Sequence, residues 1–169
     1  MENEFKEPEI LNLLQQRLKS NRPLMASIAE TMRVAVLKNF ETEGRRLGEP
    51  WEPLAHSTIK DRQKKGYWPG KILQRTGQLK RSIVSSYGDD YAQVSTNLIY
   101  AGIHNYGGII HRSSLKTYLR KKREGKQAQY SGKNKMSSVR IPARPFMKLN
   151  NQDLEKIKQK ILSALTKNE

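Results

Sequence analysis

Ser82-Ile83-Val84-Ser85-Ser86-Tyr87-Gly88-Asp89-Asp90-Tyr91-Ala92-Gln93-Val94-Ser95-Thr96 is the stretch that decides the fold class. Two runs rich in β-branched and aromatic residues, Ile83 to Tyr87 and Tyr91 to Thr96, flank Gly88-Asp89-Asp90. Glycine reaches backbone conformations that other residues avoid, and Asp side chains bond their own backbone in turns. The pattern predicts a β-hairpin, with Asp89-Asp90 as turn residues rather than a pair of catalytic carboxylates.

Helical spacing dominates upstream. Leu24, Ile28, Met32, Ala35, Val36 and Phe40 form one stripe, opened by Asn21 as an N-cap with Pro23 in the first turn and closed at Gly44. This predicts a helix of about five turns whose Met and Phe side chains are core. Ile10, Leu11, Leu14 and Leu18 predict a shorter amphipathic helix from Pro8 to Lys19. Gly44, Gly48 and Pro50 interrupt the pattern before Trp51-Glu52-Pro53-Leu54, an irregular segment with a large apolar anchor. Ser57 or Thr58 is placed to cap a short basic helix ending at Gly66, and Pro69-Gly70 marks a turn. Thr76-Gly77-Gln78-Leu79 begins a turn that is expected to lead into a strand.

Downstream, Tyr100 to Tyr106 reads as a single helical turn closed by Gly107-Gly108, whose missing side chains permit positive φ. After Ile109-Ile110 the composition changes. From Arg112 to Lys135 the cations Arg112, Lys116, Arg120, Lys121, Lys122, Arg123, Lys126, Lys133 and Lys135 face the single carboxylate Glu124. Residues 111–137 are therefore read as a basic extended loop or arm with too few apolar side chains to bury itself. It is either a solvated loop or an extension that orders against a partner. Val139-Arg140-Ile141 restores a short strand, and the prolines of Pro142-Ala143-Arg144-Pro145-Phe146 hold the backbone extended, so that Phe146 points in a fixed direction. A last helix follows, with Asn151 as its N-cap and Leu154, Ile157, Ile161 and Leu165 on one face. The expected fold is one α+β domain over residues 1–169, a long N-terminal helix and a C-terminal helix packed on a small, mostly antiparallel sheet, with the basic arm inserted.

Lys plus Arg number 32 against 16 Asp plus Glu, a formal net charge of +16. Such a balance points to an acidic partner, either nucleic acid or an acidic protein surface. The absence of cysteine excludes a disulfide framework, a thiolate nucleophile and a cysteine-ligated zinc site. Met1-Glu2-Asn3-Glu4 lacks the basic start and apolar stretch of a signal peptide, and no apolar run approaches membrane-spanning length, so the expectation is cytoplasmic synthesis and no membrane partner.

No catalytic constellation assembles in the sequence. His104 and His111 are seven residues apart, but Gly107-Gly108 interrupts any helix between them and no carboxylate accompanies them, so neither a metal nor a cofactor is expected. His104-Asn105 lacks the acidic and histidine partners of a metal-dependent nuclease. Gly66, Gly70 and Gly77 are not followed by the Gly-Lys-Ser/Thr of a phosphate-binding loop. Arg144, between prolines, is either a rim cation or a buried anchor for a carboxylate; the anchor is favoured because its backbone is preorganised.

Four blocks stand in order: Trp51-Glu52-Pro53-Leu54 with Thr58; Ile72-Leu73-Gln74-Arg75-Thr76-Gly77-Gln78-Leu79 with Ser82-Ile83; Tyr100-Ala101-Gly102-Ile103-His104-Asn105-Tyr106-Gly107-Gly108; and Ile141-Pro142-Ala143-Arg144-Pro145-Phe146. Together they resemble the virion morphogenesis, or tail completion, family of Mu-like and P2-like phages. Asn105 and Tyr106 stand where that family commonly shows Gln and Phe. The resemblance implies a non-enzymatic component of the neck or tail end of the virion, forming a ring with copies of itself beside other neck and tail proteins. It implies interface roles for Trp51, Pro53, Leu54, Thr76, Gly77, Leu79, Ser82, Tyr100, His104, Gly107, Gly108, Pro142, Arg144, Pro145 and Phe146. Arg112, Lys116, Arg120, Lys121, Lys122, Arg123 and Lys126 would then face a neighbour or, without sequence preference, the genomic DNA in the lumen. The rival expectation is a nucleic-acid-binding protein that uses residues 112–135.

Overall fold

The structure, a computed structural model, describes residues 21–112 and 137–166. The helix expected from Pro8 to Lys19 and the interior of the basic arm lie outside the described residues. Helix α1 spans Arg22–Glu41, followed by a 3-10 turn at Arg45–Leu47, α2 at His56–Lys64 and a four-residue α3 at Gln78–Arg81. Strands β1 (Val84–Tyr87) and β2 (Ala92–Ser95), helix α4 (Ala101–Tyr106), strands β3 (Gly108–Arg112) and β4 (Ser137–Ile141), and helix α5 (Asn151–Thr166) complete the order.

The α+β class stands. The antiparallel strands form two separate two-stranded ladders, β1 with β2 and β3 with β4, rather than one sheet. In the first, Val84 faces Ser95 and Tyr87 faces Ala92, and the Gly88 N–H donates to the Tyr91 carbonyl at 2.9 Å to close the expected turn. In the second, Gly108 faces Ile141 and Arg112 faces Ser137, so the ends of the arm leave side by side.

The core is small and largely aromatic. Val36, Phe40, Trp51, Leu79, Ile83, Ala101 and Phe146 form one buried cluster, which draws on α1, the irregular segment after it, α3, the residue just before β1, α4 and the strap of residues 142–148. Phe40 meets Trp51 edge-on at 5.8 Å between ring centroids and Phe146 at 5.0 Å with a tilt of 41°. Each such pair contributes about 0.5–1.5 kcal/mol beyond the burial of its area. Gly44 has φ +85°, and a Cβ there would stand 2.5 Å from Trp51 Cδ1, so glycine both makes the turn and admits the indole.

Asn39 is fully buried on the same face of α1 and binds the strap. Its Nδ2 donates to the carbonyls of Phe146 (2.8 Å) and Lys148 (2.7 Å), while its Oδ1 accepts from Arg46 Nη1 (2.9 Å). Arg46 in turn forms a 2.6 Å ion pair with the buried Asp153 of α5. Burial alone would raise the Asp153 carboxyl, but the Arg46 hydrogen bond, the backbone at Asn150 and the nearby cations together hold it below the usual carboxylate range.

Local differences from the sequence reading have physical reasons. Asn21 stands at the start of α1 with helical backbone, and its carbonyl rather than its side chain caps the helix by accepting from Met25 N–H at 2.8 Å. Helix α2 begins one residue ahead of Ser57, after Ala55 with ψ 145°. Thr76-Gly77 leads into α3 before the strand, because Gly77 at φ 71° lets the chain reverse and close a helical turn. The cap of α5 is Asn150, not Asn151: Asn150 Oδ1 accepts from Asp153 N–H at 2.9 Å and Asp153 Oδ2 accepts from Asn150 N–H at 3.1 Å, a reciprocal capping box. Helix α5 packs on α1, and its stripe is half open: Ile157 is partly covered, whereas Leu154 is 52% and Ile161 39% exposed.

Candidate functional site: an arginine-lined groove

Three of the four sequence blocks contribute fixed backbone around Arg144. Pro142 and Pro145 restrict the strap, and the Arg144 N–H donates to the His104 carbonyl at 2.8 Å. Asn105 Oδ1 accepts from the N–H groups of both Phe146 (3.1 Å) and Met147 (3.0 Å). Gly107, at φ 72°, permits this approach, since a Cβ there would stand 2.7 Å from the Ala143 nitrogen and 3.0 Å from the Ile141 oxygen. Arg144 is buried and is indeed an anchor, but for carbonyls rather than a carboxylate: Nε and Nη2 donate to Glu52 O at 3.1 and 2.9 Å, and Nη2 to Pro53 O at 3.2 Å. The remaining block is tied to the end of α1. Ile72 N–H donates to Glu43 Oε1 at 2.7 Å, Lys71 Nζ to Glu41 O at 2.8 Å, and Gln74 Nε2 to Phe40 O at 2.8 Å.

Together these segments enclose a groove of about 860 Å³. Pro53, Leu54, Thr58, Thr76, Leu79, Tyr100, His104, Pro142 and Arg144 line it, which brings most of the expected interface residues to one place. Trp51 and Phe146 serve the core behind it, and Pro145 is half-buried between Arg144 and Phe146. Ser82 braces the hairpin through its hydroxyl, 2.7 Å from that of Thr96. Gly77, Gly107 and Gly108 shape the backbone, with Gly108 at φ 153°. Arg112 ends β3, while Lys116, Arg120, Lys121, Lys122, Arg123 and Lys126 lie outside the described residues.

Arg62, Arg75 and Arg140, which were not among the expected site residues, also line the groove, and Glu52 is the one lining carboxylate among the described residues. Arg62 is buried, and its Nη1 donates to Lys71 O at 2.9 Å. Burial, with Arg75 nearby, pushes its pKa down from the usual guanidinium value. Arg144 is pushed down likewise by burial, with Glu52 opposing and Arg62 adding to the shift. His104 has its pKa lowered by burial and by Arg144. Two buried groove atoms, Arg62 Nε and His104 Nδ1, have no hydrogen-bond partner among the described residues. Among cations of α2 and its end, Lys60, Arg62, Lys64 and Lys65, Arg62 is the one with a planar fork of donors, and that is the sequence signal that would have singled it out.

Among the described residues no group of three or more His, Asp or Glu side chains is placed to hold a metal ion, and no helix is long and apolar enough to cross a membrane. The site is thus an α+β core that gathers separated segments around a cation-lined groove. The chain belongs to the phage virion morphogenesis family, whose model matches residues 6–166.

The chain is 39% identical over 87 residues to the putative capsid assembly protein G of Escherichia phage Mu, a match that spans 48% of this chain and 56% of that protein. It is 36% identical over 143 residues to the Mu-like prophage FluMu G protein 2 of Haemophilus influenzae, spanning 85% of this chain and 77% of the relative. No solved structure matches the chain. The resemblance carried by the four blocks is borne out, and with it a part in phage assembly.

Proposed function

We propose that this chain is a non-enzymatic structural component that completes the phage tail or joins it to the DNA-filled head, as a ring at the neck or tail end. The observation that supports the reading best is the convergence of Pro53, Thr76, His104 and Arg144, from four separate segments, on one groove held by main-chain hydrogen bonds. Such rigidity suits a subunit that repeats one contact by symmetry. The paired ends of β3 and β4 would launch the basic arm from the same core toward a neighbour or the DNA in the lumen. The protein is made in the host cytoplasm and ends in the virion.

An early nonsense mutation in the gene, followed by electron microscopy of the induced lysate, tests this. Filled heads beside unattached or abnormal tails, rescued by the supplied protein, are expected. The word capsid in the name of the phage Mu relative favours a second reading, in head building. A lysate depleted of filled heads would assign the protein there. Normal infectious particles, with salt-dependent DNA binding by the isolated protein, would replace both readings with nucleic-acid binding through residues 112–135.

A further inference from the structure

The groove and the tip of the first hairpin lie at opposite ends of α1. Tyr87, at the tip, has the Arg22 guanidinium 5.9 Å from its ring centroid, at the first residue of the helix. The groove-lining segment is held at Phe40 and Glu41, in the last turn. Eighteen residues at the helical rise separate the two points by roughly 27 Å. The tip cannot enter the groove of its own chain, but it is free to meet that of another copy.

The two surfaces are chemically complementary. In a chain with 32 basic and 16 acidic residues, Asp89 and Asp90 are exposed side by side between the exposed rings of Tyr87 and Tyr91, and neither makes an ion pair among the described residues. The groove has the opposite character. Arg62 is only 4% exposed and has an Nε–H without an acceptor. A buried donor left unmade is costly, and guanidinium groups take carboxylates in paired, charge-assisted hydrogen bonds. Arg140 and Arg75, the latter 3.8 Å from Asp61, add further cationic groups at the wall, where Glu52 is the carboxylate that lines the groove. A concavity of about 860 Å³ suits a tight turn that carries two carboxylates better than the convex phosphate rows of duplex DNA.

We propose that the Asp89-Asp90 hairpin tip of one copy docks in the arginine-lined groove of the next. Because tip and groove are different surfaces, the contact is heterologous, and repetition with a closing rotation makes a ring. The inference rests on the ring reading above and specifies its interface.

The chain contains no cysteine, so a thiol cross-link between its copies can form only through the introduced residues. Full-length protein carrying both Ser57→Cys at the groove wall and Tyr91→Cys at the tip is supplied to an induced lysate lacking the wild-type gene product. The lysate is treated with a short-arm bismaleimide. A ladder of covalent multimers is expected from the double variant and not from either single one. Adding Asp89→Arg and Asp90→Arg should reduce the ladder by about tenfold or more, since like charges across an interface cost several kcal/mol. Co-supplying copies with Arg75→Glu and Arg140→Glu should restore it. Glutaraldehyde on the same lysate separates the two ways of failing. Multimers with glutaraldehyde but monomers with bismaleimide overturn the tip-in-groove contact and leave the ring. Monomers with both reagents overturn the ring reading and this interface with it.

Discussion

Replacing Asn39 with Leu should uncouple the long helix from the strap at little cost in volume. Asn39 supplies two donors to the strap, at Phe146 O and Lys148 O, and one acceptor to Arg46. Phe146 is 0% exposed, so its carbonyl would lose its donor away from water, a penalty of about 1–3 kcal/mol. The Lys148 carbonyl belongs to an exposed residue and can turn to solvent. Arg46 would lose one charge-assisted bond, about 1.5–3 kcal/mol, though it keeps Asp153 and the Ala35 carbonyl. Against this, Leu adds apolar burial worth about 1 kcal/mol. The net expectation is about 2–4 kcal/mol of lost stability, a substantial part of the 5–15 kcal/mol typical of a folded domain. For a chain of this size that corresponds to a fall in Tm of about 5–15 °C. Urea unfolding followed by tryptophan fluorescence measures it, since Trp51 is buried and would report the opening of the core. Asn39→Asp keeps an acceptor for Arg46 but turns oxygen toward two carbonyls, and should cost at least as much. A midpoint within about 0.5 kcal/mol of wild type for Asn39→Leu, at unchanged m, would refute the idea that this side chain holds the two halves together.

Arg144→Ala should cost about 2–4 kcal/mol, because the Glu52 and Pro53 carbonyls lose their donors and a cavity opens; chemical denaturation checks it, and virion yield should fall in parallel. Gly44→Ala forces a Cβ into the Trp51 ring at positive φ and should destabilise by about 2 kcal/mol or more, read from thermal melts. Asn150→Ala removes one side of the capping box and should cost about 0.5–2 kcal/mol, with faster amide exchange in the first turn of α5. His104 has a folded pKa below its unfolded value of about 6.5, so the unfolded chain takes up the proton first; stability should be full above that pH and decline as pH falls toward the folded value, and His104→Gln should flatten this slope in urea titrations.

The hairpin was legible because β-branched residues and a Gly-Asp-Asp turn agree at short range, and α1 because its apolar stripe repeats over twenty residues. Asn39 was not, since a polar residue on a helix ordinarily faces water. Its place beside Phe40 and three residues after Val36, within the buried arc, is the only hint the chain carries. Arg46 and Asp153 are likewise ordinary surface charges until the fold joins them across 107 residues. The capping box was readable from the Asn150-x-x-Asp153 spacing, and the adjacent Asn151 obscured it. A four-residue helix such as α3 is shorter than the window in which periodicity can be detected. The groove itself follows from tertiary approach, which no local pattern encodes: its motif residues could be nominated singly, but their meeting with Arg62 could not.

The bond from Asn39 to Phe146 and the ion pair from Arg46 to Asp153 each join residues 107 positions apart. Native contacts of such long range form late, after the intervening chain is available. A ribosome must therefore deliver the polypeptide through Asp153 before the long helix acquires the aromatic plug and polar clasp that fix it. Fragments released earlier have no closed interior and present no finished groove. They cannot offer the contacts of the groove, so the supply of competent protein follows full-length translation rather than total synthesis.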